Sequence, residues 1–494
     1  MRQRNFRRAL CALLFCIPLT AANAQTIWYV NDDAHGANTG TSWTDAYADL
    51  HSALAAAQNG DQIWVAAGRY VGNFTLTLGV ELYGGFAGTE SELAQRDWKT
   101  NPTILDGNAS GSVVTSLPGA TATTRIDGFT ITNGSGTLSG QYGYGGGIYL
   151  DQSSPTIVNN MITANSAGQY GSGGGLFLGG SSPVITNNTI TGNSAGSGGG
   201  LFLSGSFATI ANNAITDNTA FQGGGLRLWY SLATIANNTI TDNTASDGGG
   251  LWLYRSSPTI TNNAITGNSA NIGGGLYLGF SFPTITNNAI VGNTANYSGG
   301  GMSLGASSPA ITNNTIMGNS GNTGGGMYVE NSSPTVADNT ITSNIANTGG
   351  GLFLSDSSPT IANNTIIGNI ADYSGGGLRL DSSSPTITGN TIAGNSAGSH
   401  GGGLYLYYHS SPTIAKNAIT RNSASSDGGG LYVYYDSSPT ITNNTIAGNS
   451  AANGGGLFIY YASATVANNT ITGSIAHEVV PTVVEFERSI LFAS

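Results

Sequence analysis

Residues 401–424 read GGGLYLYYHSSPTIAKNAITRNSA, and nearly the same line returns down most of the chain. Gly-Gly-Gly occurs thirteen times, its third glycine at 147, 175, 200, 225, 250, 275, 301, 326, 351, 377, 403, 430 and 456. After a first interval of 28, the spacing is 25 to 27. A fixed period in this range marks a solenoid, in which each unit buries its apolar face only against its neighbours. The unit has no helix-forming run. It alternates apolar and polar residues and is broken by Gly, Ser-Ser-Pro and Asn, so its pieces are short strands joined by turns.

Positions compared across units assign the faces. The residues one and three after the last Gly are aliphatic, as in Leu404 and Leu406 or Leu431 and Val433. The residue between them is mostly aromatic, as in Tyr149, Phe177, Phe202, Trp252, Tyr277, Tyr328, Phe353, Tyr405, Tyr432 and Phe458. Alternation puts the first set inside and the second outside. A second inward aliphatic follows Ser-Ser-Pro (Ile157, Ile185, Ile414), and a third comes five residues later (Ile162, Ile190, Ile419).

Three residues after the second aliphatic stands an unvarying asparagine, Asn160, Asn188, Asn213 and onward to Asn469, while the residue before it changes freely. Stacked coils lie about 4.8 Å apart, so inward amides can form a hydrogen-bonded ladder. A left-handed turn role for Asn is the alternative. Asn165, Asn193, Asn422 and Asn449, ending at Ser474, predict a second ladder. Length changes fall only in turns, as stacked coils require. Each unit is expected to be one coil of three short strands, and thirteen coils a rod of about 60 Å.

These repeats resemble those of secreted bacterial right-handed parallel β-helix proteins, the pectate-lyase-like superfamily, and are similar to those of polymorphic outer-membrane and adhesin-like proteins. The resemblance covers nearly all of 26–475. It implies an all-β, right-handed single-stranded parallel β-helix with a short N-terminal capping helix. It implies no single activity, since such folds serve lyases, hydrolases, epimerases and adhesins. The opening, IWYVNDDAHGANTGTSWTDAYADLHSALAAAQNGDQIWVAAGRY, is similar to the start of such proteins. Thr44 or Asp45 is expected to cap a helix in which Leu50, Leu54 and Ala57 share a face, with Gly60 ending it.

The resulting division is 1–24 signal peptide, 25–110 cap and irregular early coils, 111–475 regular β-helix, and 476–494 C-terminal cap or tail. Residues 1–24 carry Arg2, Arg4, Arg7 and Arg8, an apolar core too short to span a bilayer, and the small-x-small site Ala22-Asn23-Ala24. Secretion or display on a bacterial cell surface is therefore expected, with no transmembrane segment after cleavage. Both cysteines, Cys11 and Cys16, lie in that segment. Val479, Val480, Val483, Val484, Phe486, Ile490 and Leu491 suggest an apolar plug at the far end.

Removal of 1–24 leaves ten basic against 25 acidic residues, a balance of −15, with only 8% of the chain charged. That argues against nucleic acid and anionic membranes. A polysaccharide or cell-surface glycan is the expected partner, the chain a monomer. No cofactor or metal is expected; Ca²⁺ enters only if the protein is a lyase. Asp217 and Asp242 share a turn position one coil apart and read as solvated turn residues.

His409 aligns with Asp436 of the next coil and His400 with Asp427, while Lys416 and Arg421 lie in the coil of His409. His409, Lys416, Arg421 and Asp436 are the candidates for catalysis on an acidic polysaccharide. The more specific feature is the file of outward rings, interrupted by Arg227 and Arg379 where cation–π contact becomes possible. Tyr405, Tyr408, Tyr432, Tyr435, Phe458 and Tyr461 are the candidates for glycan contact. The leading expectation is a non-catalytic rod for adhesion or glycan binding. The alternatives are a polysaccharide lyase or related carbohydrate enzyme and, ranked lower, an ice-binding protein whose Thr-Ile-Thr columns meet a lattice.

Overall fold

The repeat winds as read. A computed structural model describes residues 25–477 and the backbone of 483–486 and 491–493. The signal segment and Val479, Val480 and Ile490 lie outside the described residues. The chain forms a right-handed parallel β-solenoid of about 14 turns with about 26 residues per coil. One coil serves for all. Leu251–Tyr254 belongs to the first sheet, Thr259–Thr261 to the second and Ala264–Thr266 to the third, sheets of 16, 18 and 16 strands. Three strands per coil were expected; a fourth, Ser269–Ile272, adds a nine-stranded sheet. It forms because the residues after the second ladder Asn stay extended until the glycines, with small Ala270 buried beneath.

Strands pair in parallel and in register, Leu226↔Leu251↔Leu276 in the first sheet and Ile235↔Ile260↔Ile285 in the second. These aliphatic files are fully buried along the axis, each side chain contributing roughly 1.5–3 kcal/mol. The glycines explain themselves. Gly248 takes φ +63, and a Cβ on Gly250 would lie 2.6 Å from the Gly275 carbonyl oxygen. The first glycine turns the chain and the third lets successive backbones touch.

Two asparagine files run inside the rod. The Asn188 amide nitrogen donates to Asn213 Oδ1 at 3.0 Å, and Asn213 repeats this to Asn238. Backbone N–H groups join the same oxygens at 2.9 Å. The second file runs Asn165, Asn193, Asn218 and on to Asn449, whose N–H donates to Ser474 Oγ at 3.3 Å. The left-handed turn is taken by the residue before each ladder Asn, such as Asn187 at φ 57, so the two roles fall on neighbours. A third ladder was not foreseen. The first serine of Ser-Ser-Pro is buried, as is the serine that stands there in Ser206-Phe-Ala and Ser231-Leu-Ala; Ser206 N–H donates to Ser231 Oγ and Ser231 N–H to Ser256 Oγ, at 3.1 and 3.0 Å.

At the N-terminal end the helix is Leu50–Ala56, with Leu50, Ala53 and Leu54 buried against the first coils. Its cap is Asp49, not Thr44 or Asp45: the Asp49 carboxylate accepts from the N–H of His51 and Ser52. It ends at Ala57, before Gly60. Asp45 instead accepts from Ala37 N–H in the preceding loop. At the other end, Val483–Phe486 pairs with Leu457–Tyr460 and Leu491–Ala493 with Thr465–Ala467, so backbone pairing continues into the segment read as a tail.

Candidate functional site

The outward middle position of the first sheet holds the aromatic file, and it is broken once. Ser303 pairs between Tyr277 and Tyr328, leaving two segments of six members. One is Tyr149, Phe177, Phe202, Arg227, Trp252 and Tyr277; the other is Tyr328, Phe353, Arg379, Tyr405, Tyr432 and Phe458. Each has one arginine among rings.

The rings point outward as alternation requires, but the strip is not exposed. Tyr405, Tyr432 and Phe458 keep only 7%, 5% and 7% of their surface. Tyr405 stacks on Tyr432 at 5.3 Å, and Tyr432 lies at 5.3 Å from Phe458. Tyr407, Tyr434 and Tyr460 form a second file beside them, spaced 5.8 and 5.7 Å. Coil spacing of about 4.8 Å brings successive rings within offset-stacking distance, so the ring faces are consumed by stacking. Burial pushes the Tyr405 and Tyr432 hydroxyls up.

The exposed rings stand one position further, at the rim. Tyr408, Tyr435 and Tyr461 are each 44% exposed and hold φ of 46, 47 and 48. Tyr408 and Tyr435 stack at 5.6 Å. Tyr230 and Phe280, 48% and 51% exposed, occupy the corresponding turns of the first segment at φ 49 and 51. Arg255 covers Tyr230 at 5.5 Å, and its guanidinium donates to the Tyr230 hydroxyl at 2.7 Å.

The charged candidates scatter around the coil. His409 lies in the turn between Leu404–Tyr407 and Thr413–Ala415, Lys416 between that strand and Ala418–Thr420, and Arg421 after it. They occupy three successive corners, because each corner turns the chain to another face. His409 and Asp436 sit in the same turn of successive coils, at φ 56 and 54. His400 and Asp427 do meet: Nδ1 lies 3.1 Å from Oδ2, off the line of a hydrogen bond. Burial raises the Asp427 carboxyl, but contacts with His400 and Asn453 outweigh it and hold it low. Asp217 and Asp242 are exposed turn residues at φ 55 and 54.

A cleft of about 640 Å³ lies over the first segment, lined by Tyr144, Tyr149, Asp151, Phe177, Phe202, Arg227 and Trp229. Tyr144 comes from an antiparallel hairpin, Thr137–Ser139 with Tyr142–Tyr144, that interrupts the winding. Tyr144 meets the Phe177 ring edgewise at 4.9 Å. The Arg227 guanidinium lies 5.1 Å from the Phe202 ring, 5.2 Å from Trp229 and 4.5 Å from Trp252. It donates to Ser197 Oγ, while its Nε is buried without a partner. Among the described residues no carboxylate pairs with it. Burial lowers its pKa to about 10, so it remains a cation at neutral pH. Arg379 differs: Asp381 takes it at 3.0 and 2.9 Å. At the equivalent place in the first segment stands Trp229. The sequence showed Arg227 interrupting the file; the Arg-x-Trp against Arg-x-Asp contrast was the signal for its isolation.

Among the described residues no three or more His, Cys, Asp or Glu side chains are grouped to hold a metal. No described helix is long and apolar enough to cross a membrane.

A family profile described as "Right handed beta helix region" matches residues 110–278, 224–377 and 369–479, more than half of the chain. No curated protein sequence matches. A solved structure titled "Rhamnogalacturonan lyase" is similar at 12% identity, over 86% of this chain and 82% of that one, with a TM-score of 0.12. At that score the likeness carries no argument.

Proposed function

Because the chain belongs to the right-handed β-helix family, we propose that it is an exported or cell-surface rod that binds glycan without cleaving it. The observation that carries this reading is the rim of aromatics in left-handed turns. Non-glycine residues there cost about 1–2 kcal/mol each. Tyr230, Phe280, Tyr408, Tyr435 and Tyr461 all adopt that conformation while leaving 44–51% of their surface to water. Stability alone favours Gly or Asn at such turns, and exposed rings aligned along a rod offer faces on which sugars stack. Tyr408 and Tyr435 stack at 5.6 Å one coil apart, so the coil repeat sets their spacing before any ligand arrives.

A glycan array probed with residues 25–494 tests the proposal. Binding that falls tenfold or more in a Tyr408/Tyr435/Tyr461→Ser variant supports it, and an unchanged profile removes the rim from the account. The same samples, incubated with acidic polysaccharides with and without Ca²⁺, are expected to release no unsaturated products; release would favour the lyase reading. Export is checked by the N-terminal residue of protein recovered outside the cytoplasm, expected at Gln25.

A further inference from the structure

The cleft over the first aromatic segment contains a cation that the fold does not neutralise. Arg227 is clamped between Phe202 and Trp252, so the faces of its guanidinium are covered. Ser197 takes one terminal nitrogen and Nε is shut off from solvent without a partner, so the two terminal nitrogens are the edge left to a ligand. The edge of a guanidinium is the shape that a carboxylate meets with two parallel hydrogen bonds. In the second segment the chain supplies that carboxylate itself, from Asp381. In the first it supplies Trp229 instead, and a cleft is open over the site.

The surroundings limit what the rest of the ligand can be. Asp151 lines the same cleft, where a carboxylate can accept from sugar hydroxyls and opposes a second anionic group. The chain as a whole carries −11, which disfavours a polyanion. The walls of Tyr149, Phe177 and Trp229 suit the apolar faces of neutral sugars.

Resting on the glycan-binding reading above, we infer that this cleft binds a glycan in which a single uronosyl carboxylate is flanked by neutral sugars, and that Arg227 selects the carboxylate.

Calorimetric titration tests it with five probes: a neutral xylo-oligosaccharide, the same chain bearing one glucuronosyl unit, its carboxyl-reduced form, a singly sulfated form and an oligogalacturonate. The wild-type chain is expected to prefer the glucuronosyl probe over its carboxyl-reduced form by roughly ten- to a hundredfold, the range for a charge-assisted hydrogen-bonded contact. Arg227→Met retains an apolar stem between the rings and is expected to abolish that preference while keeping the affinity for the neutral probe. Asp151→Asn, a change at an exposed residue, is expected to strengthen oligogalacturonate binding. Equal affinity for the glucuronosyl and reduced probes, or a preference that survives Arg227→Met, overturns the inference and leaves glycan binding standing. A sulfated or oligogalacturonate probe bound as tightly as the glucuronosyl one also overturns it. Failure of every probe to bind overturns the inference, while the glycan array decides the reading it rests on.

Discussion

Replacement of Asn263 by alanine in the middle of the first ladder should be among the most damaging single changes in the rod. Its Oδ1 accepts from the N–H of Asn238 at 2.9 Å and from the Asn238 amide at 3.0 Å. Its two amide hydrogens are shared among Ile235 O at 2.8 Å, Thr261 O at 3.0 Å and Asn288 Oδ1 at 3.0 Å. Some of these partners have others: Thr261 O still receives Asn237 N–H, and Asn288 Oδ1 still receives the N–H of residue 263. The Asn238 N–H and one hydrogen of the Asn238 side-chain amide lose the acceptor that Asn263 supplied, in a place water does not reach, while the Ile235 carbonyl keeps its strand partner. Each such buried group costs about 1–3 kcal/mol, giving about 2–6 kcal/mol for Asn263→Ala. The half-exposed end of the ladder provides the comparison. Asn469→Ala should cost about 1 kcal/mol or less, because water substitutes there. Urea unfolding followed by circular dichroism gives the global figure, and hydrogen exchange at Asn238 N–H gives the local one, which remains interpretable if the repeats do not unfold together. Thr259→Ala, an exposed outward change in the same coil, should stay within about 0.5 kcal/mol. If Asn263→Ala matches Thr259→Ala, or if the central and terminal asparagines cost the same, the ladder does not carry stability.

Ser256→Ala removes the oxygen that receives Ser231 N–H at 3.0 Å and should cost about 1–3 kcal/mol by the same measurement. Gly250→Ala should yield no folded protein, because its Cβ would meet the Gly275 carbonyl oxygen at 2.6 Å and neither backbone can retreat; recovery of native circular dichroism would refute this. Gly292→Asp places an aspartate in the column that already holds Asp217 and Asp242, with nothing within 4 Å, and should shift stability by no more than about 1 kcal/mol in thermal melts. Burial raises the Asp106 carboxyl, but the N–H of Asn108, the Asn133 amide and Arg69 together hold it below its ordinary 3.8. Its contribution is thus fully present above that value and lost as pH falls through the folded one, so melting temperature should drop at acid pH and Asp106→Asn should flatten that limb.

Much of this architecture is legible in one dimension because a solenoid converts sequence period into spatial columns. Asn188, Asn213 and Asn238 could be assigned to one internal file since unvarying polar residues beside variable ones mark opposite faces. The serine ladder carried the same signal, a serine in twelve of the thirteen units, as at Ser206, Ser231 and Ser281, followed by variable Phe207, Leu232 and Phe282, with Ala462 in the last. It was masked because Ser-Ser-Pro also reads as an ordinary turn. The cap was misplaced by a few residues because Thr44, Asp45 and Asp49 can all accept from a helix N-terminus, and only the loop path selects Asp49.

The site was less legible, for a different reason. Alternation determines which side of a strand a ring leaves from, but not what covers it. Tyr405, Tyr432 and Phe458 leave outward and are then buried by one another, while exposure passes to Tyr408, Tyr435 and Tyr461 in the turns. His409, Lys416 and Arg421 are near in sequence, yet two strands of the coil, Thr413–Ala415 and Ala418–Thr420, separate the first from the last.

The sequence by itself determined the winding, the period, the aliphatic core and the first asparagine file, because these are repeated local patterns and every coil states them again. Only the tertiary structure decided which rings reach water and which arginine lacks a carboxylate. Those properties arise between coils, where contacts depend on packing rather than on period.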